Sequence, residues 1–405
     1  MKAKIRFDGF VAKCVHYCIE DVAKVTSGGT PNRANIDYWN GNIPWVTTSQ
    51  IDFQDITSAD EYITELGLKS SSAKIFPKGT ILMALYGQGI TRGRVSILGI
   101  DATTNQACAA ILVNKVLANN RYTFYSLQSK YEQIRALSND GGQKNLSGGL
   151  VKKLSIYLPS LQEQQKIADF LIAVDSKISL LMEKHRLLNE YKKGAMQQLF
   201  SQQLRFKDMD GNAFSEWEEK HFGEIFERVT QKNSSNNLNV LTISAQKGLI
   251  SQLEYFNKSV SAKDVSGYYL LKKGDFAYNK SYSNGYPMGA IKPLKFYDSG
   301  VVSTLYICFR PKCGFDEAYF EQFFDAGMLN PEIAKIAQEG ARNHGLLNVS
   351  VKEFFDDIKL LVPHQDEQQR IAQFLQALDN KIATVAEQIE QTKQFKKGLL
   401  QQMFV

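Results

Sequence analysis

Residues Pro159 to Phe200 read PSLQEQQKIADFLIAVDSKISLLMEKHRLLNEYKKGAMQQLF, and Pro363 to Phe404 read PHQDEQQRIAQFLQALDNKIATVAEQIEQTKQFKKGLLQQMF. The offset is 204 residues throughout with no gap, and 19 of the 42 aligned positions are identical, which marks an internal repeat. Each copy opens on a proline and a Glu-Gln-Gln start and then runs on without another proline, as a long helix requires. Apolar residues recur at alternating steps of four and three. In the first copy they are Ile167, Leu171, Val174, Ile178, Leu181 and Leu188, continuing to Ala195 and Leu199. In the second they are Ile371, Leu375, Leu378, Ile382, Val385 and Ile389, continuing to Leu399 and Met403. This is a heptad seam of the kind that drives a left-handed coiled coil. His185 and Lys192 interrupt it in one copy, Thr392 and Lys396 in the other; polar seam positions fix register or sit at the rim, and no chemistry is read into them. A helix of this length spans about 60 Å. Two helices of matched length, separated by a globular insert, are expected to pack on each other.

The repeat extends outward from the helices. Ile5-Arg6-Phe7 returns as Leu204-Arg205-Phe206 just after the first helix stretch, and Glu20 to Thr26 returns as Glu224 to Thr230. Phe76-Pro77-Lys78-Gly79 corresponds to Leu271-Lys272-Lys273-Gly274. The alternating run Leu154, Ile156, Leu158 matches Ile358, Leu360, Val362. The chain is therefore a tandem of two units, each a globular domain followed by a long helix: 1–157, 158–203, 204–361 and 362–405. Between these anchors the two globular domains diverge almost completely in sequence. Strands are expected near residues 43–48, 80–86, 107–114, 240–244, 275–279 and 302–309, which are rich in β-branched and aromatic side chains. Helices are expected at 123–137, 317–327 and 331–338. Glycine-rich polar turns cluster at 27–31, 86–93, 140–149, 281–289 and 340–348. Each domain thus reads as α+β, a strand-built body with long polar loops.

Composition narrows the class. At 405 residues the chain is long enough for two domains, and 43% hydrophobic residues suffice for ordinary cores. No apolar run is long enough for a transmembrane helix, and the N-terminus lacks the apolar core of a signal peptide. Five cysteines at scattered positions (Cys14, Cys18, Cys108, Cys308, Cys313) suit a reduced, cytoplasmic protein. Cys14, His16 and Cys18 have no second ligand pair at finger spacing, so no metal site is assigned. Residues 1–157 carry 18 basic and 12 acidic side chains, whereas residues 205–361 carry 19 and 20. A basic first half suits a polyanion, while the second half shows no bulk attraction to one.

Catalytic signatures are missing. No phosphate-binding G-x-x-x-x-G-K-[ST] loop, no G-x-G-x-x-G after a strand, no nucleophile elbow and no His-Glu-x-x-His is present. A large duplicated protein without such motifs points to recognition or assembly rather than catalysis. The loops are where recognition fits. The turn 86–94 carries Gln88, Thr91, Arg92 and Arg94; arginine pairs bidentately with guanine, glutamine with adenine, and hydroxyls hold phosphate. Thr47 and Ser49 follow Trp45, itself expected in the core. At the corresponding place in the second domain Asn279, Lys280, Tyr282 and Asn284 interleave amide, basic and aromatic groups, and Arg342, Asn343 and His344 lie between glycines. The bland alternative for each is a solvated turn.

At this point the residues carry a resemblance. The pattern LP-x-x-x-EQQKIA-x-FL-x-x-x-D-x-KI from Leu158 to Ile178 and its copy from Val362 to Ile382, each closed by Lys-Lys-Gly, Gln-Gln and Phe, resembles the specificity subunits of type I restriction-modification systems. Ile5 to Phe10, Leu204 to Phe206 and Thr26 to Pro31 match the family's unit starts. The chain departs at 14–19, where the second domain has Trp217-Glu218 followed by Gly223. The resemblance implies two target-recognition domains in tandem, each reading one half of a split double-stranded DNA target. It also implies two long helices forming an antiparallel coiled-coil spacer with pseudo-two-fold symmetry, which sets the gap and docks two methyltransferase subunits. Restriction subunits are expected in the larger complex. S-adenosylmethionine, ATP and Mg²⁺ would belong to those partners, with no cofactor in this chain. The competing expectation is a coiled-coil scaffold that never touches bases; a fused restriction enzyme fits the missing motifs poorly.

Overall fold

The computed structural model describes residues 5–87, 90–137, 145–244, 247–256, 264–282, 285–337 and 347–404. It divides into two compact units, Met1–Met182 with Ala386–Val405, and Glu183–Val385. Each long helix is continuous, Leu161–Phe200 and Gln365–Met403, and contributes part of its length to each unit.

In the first unit, Ala23–Ser27, Cys108–Val113, Ile81–Ala84 and Val95–Leu98 pair antiparallel in that order, and Asp55–Ile56 adds a parallel edge. Side chains alternate between the two faces of a strand. Accordingly Ile81, Met83, Ala109 and Ile111 face one core, shared with Tyr122, Tyr125 and the long helices, while Leu82, Ala84, Cys108 and Ala110 face a second with Val46 and Ile56. Burial on both faces is why Ile81–Ala84 reads as an unbroken apolar run. Beside it lies a three-stranded sheet, Glu61–Ile63, Trp39–Val46 and Thr103–Thr104.

In the second unit, Phe226–Arg228, Ile307–Pro311, Phe276–Asn279 and Ala290–Pro293 pair antiparallel in the same succession. Ile81 faces Ile111 in the first sheet as Phe276 faces Phe309 in the second, so register is retained as well as order. The sequence divergence between the anchors therefore hides a common sheet. The tract at 14–19 is regular too: Val15–Cys18 pairs with Ser155–Leu158, as Glu218–His221 pairs with Lys359–Val362. This register sets Asp21 rather than Glu20 against Glu224, one residue off the match expected for Glu20 to Thr26.

Two expected elements are broken. Residues 302–309 form no single strand: Ser299–Val302 pairs with Tyr269–Lys272, whereas Ile307–Pro311 belongs to the main sheet. A turn separates them, with the Tyr306 amide donating to the Ser303 carbonyl at 3.1 Å. The helix expected at 123–137 is two helices, Asn120–Ser129 and Tyr131–Ala136, divided at Lys130, whose ψ of 10° leaves the helical range.

The repeated helix start has a structural explanation in each unit. Glu163, 1% exposed, accepts from Arg6 Nε and Nη2 at 2.8 and 2.5 Å; Glu367, 0% exposed, accepts from Arg205 at 3.2 and 2.9 Å and from Trp217 Nε1 at 3.1 Å. The amides of Gln164 and Gln368 donate to the carbonyls of Pro159 and Pro363, both at 2.9 Å. Their side-chain oxygens accept from the backbone N–H of Asn119 and Asp316, both at 2.8 Å. Asn119 and Asp316 in turn cap the following helices, Asn120–Ser129 and Glu317–Asp325. A buried polar group must find partners, so these residues tie the unit start, the domain and the long helix together.

All twelve seam positions from Ile167 to Leu188 and from Ile371 to Ile389 are buried or half-buried. The polar interruptions at Lys192 and Lys396 carry ion pairs. In the first unit Lys396 Nζ lies 2.6 Å from Asp175; in the second, Lys192 Nζ lies 2.6 Å from Asp379. Phe404 packs on Tyr122 within the first unit, and Phe200 on Tyr319 within the second.

Candidate nucleic-acid interface

The central hairpin of each sheet presents a loop. In the first domain the loop joins Ile81–Ala84 to Val95–Leu98, and Gly93 closes it at φ 84°, donating its amide to the Ala84 carbonyl at 2.9 Å. In the second it joins Phe276–Asn279 to Ala290–Pro293, closed by Gly289 at φ 80°. A Cβ at Gly289 would sit 2.2 Å from the Asn279 carbonyl oxygen, so only glycine fits. The return of the chain after each glycine-rich stretch lies against the same loop. Leu146 donates its amide to the Leu85 carbonyl and Leu347 to that of Lys280, both at 3.0 Å. Leu146 and Leu347 thus meet the hairpin at one corresponding corner of each domain.

The candidate residues fall into three groups. Thr91, Arg92 and Arg94 lie on the first loop; in the second domain Asn279 ends the strand that leads into the loop, and Lys280 and Tyr282 lie on the loop itself. Thr47 and Ser49 lie elsewhere, at the end of the neighbouring sheet, hydroxyl to hydroxyl at 2.7 Å. Gln88, Asn284, Arg342, Asn343 and His344 lie outside the described residues.

On the first loop the two arginines are half-buried rather than free in solvent. Arg92 donates from Nη2 to the Arg135 carbonyl at 2.5 Å. Arg94, with a side chain 19% exposed, pairs with Asp52 at 2.5 Å and lies 5.7 Å from the Phe53 ring centroid. Phe53 meets Tyr131 edge-on at 5.1 Å, and the Tyr131 hydroxyl donates to the Ile90 carbonyl. The loop is therefore clasped from both sides, and its arginines hold it as much as they face outward. On the second loop Tyr282 is 63% exposed, while Asn279 turns its side-chain oxygen back to the Ser281 amide at 3.0 Å. Lys292 beneath that loop reaches the Tyr286 hydroxyl at 3.3 Å and Asp325 at 2.5 Å. Burial lowers the affinity of the Lys292 ammonium for its proton, but the Asp325 carboxylate outweighs it and the pKa is raised.

Sequence reasoning missed Asp52, Phe53, Tyr131 and Lys292. Asp52, Phe53 and Tyr131 reach the first loop from about 40 residues away in the chain. Lys292, although it follows its loop directly, is joined there by Asp325 from a separate helix, so no local pattern marks them. Trp45, expected in the core, is 2% exposed. Cys108 and Cys308 are buried in corresponding strands, each thiol pushed up to about 12 by burial, which leaves them inert small hydrophobes. Among the described residues no group of three or more His, Cys, Asp or Glu gathers at a metal-binding spacing, and no helix is long and apolar enough to cross a membrane.

With this geometry established, comparison with known proteins gives a consistent answer. The family model for the type I restriction modification DNA specificity domain matches the chain twice, at residues 13–190 and 214–394. The type I restriction enzyme MjaIX specificity subunit of Methanocaldococcus jannaschii is 28% identical over 228 residues, covering 53% of this chain and 52% of the relative. The match thus spans about half the length of that relative. The MjaVIII specificity subunit of the same organism is 23% identical over 412 residues, covering 94% of this chain and 90% of that one. Among solved structures, the type I restriction-modification S subunit from M. genitalium superimposes with a TM-score of 0.59 at 16% identity, covering 100% of this chain and 99% of that chain.

Proposed function

This chain belongs to the type I restriction-modification DNA specificity family, and on that premise we propose that it is the DNA sequence-recognition subunit of a type I complex. Each globular domain reads one half of a bipartite double-stranded target. The chain itself is non-catalytic; methyl transfer with S-adenosylmethionine, and any cleavage with ATP and Mg²⁺, belong to partner subunits. The observation that carries the reading is the doubling. Two domains of the family stand in one chain, and both present a glycine-closed polar loop from the same hairpin of the same sheet.

In this reading the two long helices form an antiparallel spacer related by a pseudo-two-fold axis. Its support is the pair of ion bridges. From Asp175 forward to Lys192 on one helix, the partner moves back by the same number of residues, from Lys396 to Asp379. Asp175 and Asp379 are repeat equivalents, as are Lys192 and Lys396. A spacer of this kind fixes the unread gap between half-sites. It also leaves apolar side chains for two methyltransferase subunits, among them Tyr191 and its repeat equivalent Phe395, 58% and 53% exposed. The near-neutral second domain implies that those subunits supply part of the phosphate contact.

The test is methylome sequencing of a methylation-free host expressing this chain with the methyltransferase subunit encoded beside it, against a control lacking this chain. Modified bases within one split motif are expected only when the chain is present. Modification absent or independent of the chain, with both proteins soluble, favours the scaffold instead.

A further inference from the structure

We propose that Arg33 reads a guanine edge in the half-site of the first domain, an assignment that rests on the recognition role above. Arg33 stands away from the hairpin loop, in a shallow cleft of about 470 Å³ lined by Trp39, Asn40, Asp60, Glu61 and Tyr62. Its side chain is 54% exposed yet held on two sides. The guanidinium lies 3.9 Å from the Trp39 ring centroid and 4.7 Å from that of Trp45. Those rings are themselves fixed, meeting edge-on at 5.0 Å, with the Trp45 indole N–H donating to the Gly29 carbonyl at 2.9 Å. Glu61 takes the end of the fork, accepting from Nη1 and from Nη2, the latter at 3.0 Å. The pairing holds the Glu61 carboxyl below the usual carboxylate range.

This arrangement occupies one edge of the guanidinium and leaves the other. The Nε–H has no partner among the described residues, and beside it one Nη hydrogen remains for solvent. Two parallel donors on a rigid plane match the O6 and N7 acceptors that guanine shows in the major groove. Because the side chain is already ordered by stacking and pairing, little rotamer freedom is lost on contact. The surrounding charge decides between base and backbone. Glu61 neutralises Arg33, and Asp60 adds an uncompensated negative charge, so the cleft repels phosphate. A neutral acceptor pair fits where an anion does not. Arg92 and Arg94, by contrast, have the Nε–H buried, so neither can offer that edge to a base.

The experiment uses the full chain with its methyltransferase subunit in two readouts. Methylomes of hosts carrying Arg33→Lys or Glu61→Gln are compared with wild type, and purified complexes are titrated with the wild-type duplex over a salt series by fluorescence anisotropy. Lysine keeps the positive charge but lacks the planar fork that stacks on Trp39 and pairs bidentately with Glu61. Arg33→Lys is expected to relax discrimination at one guanine of one half-site roughly tenfold while the other half-site is unchanged. Glu61→Gln is expected to relax the same position more weakly, and the salt slope to stay constant. A slope smaller by about one with the motif intact would make Arg33 a phosphate contact and overturn the proposal. So would an unchanged motif in both variants, or a uniform loss of modification at every site. If wild type itself yields no split motif, it is the recognition role that falls, not this residue's part in it.

Discussion

In the first domain Ile19, Ala23, Ile81 and Ile111 fill the places that Phe222, Phe226, Phe276 and Phe309 fill in the second, although the strands pair in the same order. The helices follow suit. Thr123, Leu127 and Val151 stand where Phe320, Phe324 and Phe354 stand in the second domain, whose rings meet at centroid distances of 4.5 to 6.5 Å. On the opposite face of the second sheet, buried Asp275 grips Arg310 at 2.6 and 2.8 Å; the corresponding first-domain pair is Thr80 and Leu112. One backbone arrangement is thus stabilised by mainly aliphatic strand packing in one copy and by clustered rings, with an ion pair whose carboxylate alone is buried, in the other. The difference teaches that strand register and the alternation of apolar faces carry this topology, while the identity of the core side chains is open to change. That freedom lets each domain acquire its own surface loops on an unchanged frame.

The largest test of this contrast is in the cores. Phe309 is 0% exposed and touches Phe222, Phe226, Phe276 and Phe324 at 4.9 to 6.0 Å. Phe309→Ala is expected to destabilise the second domain by about 3–5 kcal/mol, the range for emptying an aromatic site. Ile111→Ala is expected to cost the first domain about 2–5 kcal/mol. Urea denaturation followed by hydrogen-exchange mass spectrometry assigns each loss to its domain. A cost below about 1 kcal/mol for Phe309→Ala would mean that the ring cluster closes over the gap, and the two cores would then differ less than their composition suggests.

The frame gives the next test. Glu163 and Glu367 occupy the same position of the repeated motif, but Glu367 accepts from Trp217 as well as from Arg205. Removing Glu367 leaves the buried Trp217 indole N–H without its acceptor, while Arg205 keeps the Phe214 and Ser215 carbonyls and Glu216, so Glu367→Ala is expected to cost about 3 kcal/mol in midpoint stability. Glu163→Ala is expected to cost less, by about 1 kcal/mol for the one hydrogen bond it lacks. Equal costs would show that the Trp217 contact adds nothing to the second frame.

These residues also explain what the sequence could and could not reveal. The long helices were legible because period and repeat are local properties, written twice. The strand cores at 80–86 and 107–114 were legible as apolar runs. That the two inserts share one sheet was not, since Ile81 and Phe276 are both simply hydrophobic and the pairing partners lie some 30 residues away in sequence. For the candidate site, sequence located both hairpin loops but not what holds them. Arg94 reads as a free cation until the fold brings Asp52 beside it, and Arg33 as an unremarkable residue until two tryptophans and Glu61 converge on it.

The smallest effect expected separates symmetry from coincidence. Lys396 with Asp175, and Lys192 with Asp379, are one contact made twice. The lysines are 12% and 16% exposed, the aspartates 35% and 40%. Asp175 also accepts from the Tyr125 hydroxyl, and Asp379 from the Gln322 amide, both at 2.8 Å. Partial exposure screens such pairs, so each is worth no more than about 1 kcal/mol. Methionine keeps the aliphatic stem of lysine and removes only the charge, which isolates the electrostatic part. Lys396→Met and Lys192→Met should therefore each lower stability by about 1 kcal/mol or less, and equally. Double-mutant cycles with Asp175→Asn and Asp379→Asn should return matching coupling energies, both weakened by salt. If one cycle couples and the other does not, the two contacts are not equivalent, and the repeat preserves the helices without preserving this pairing.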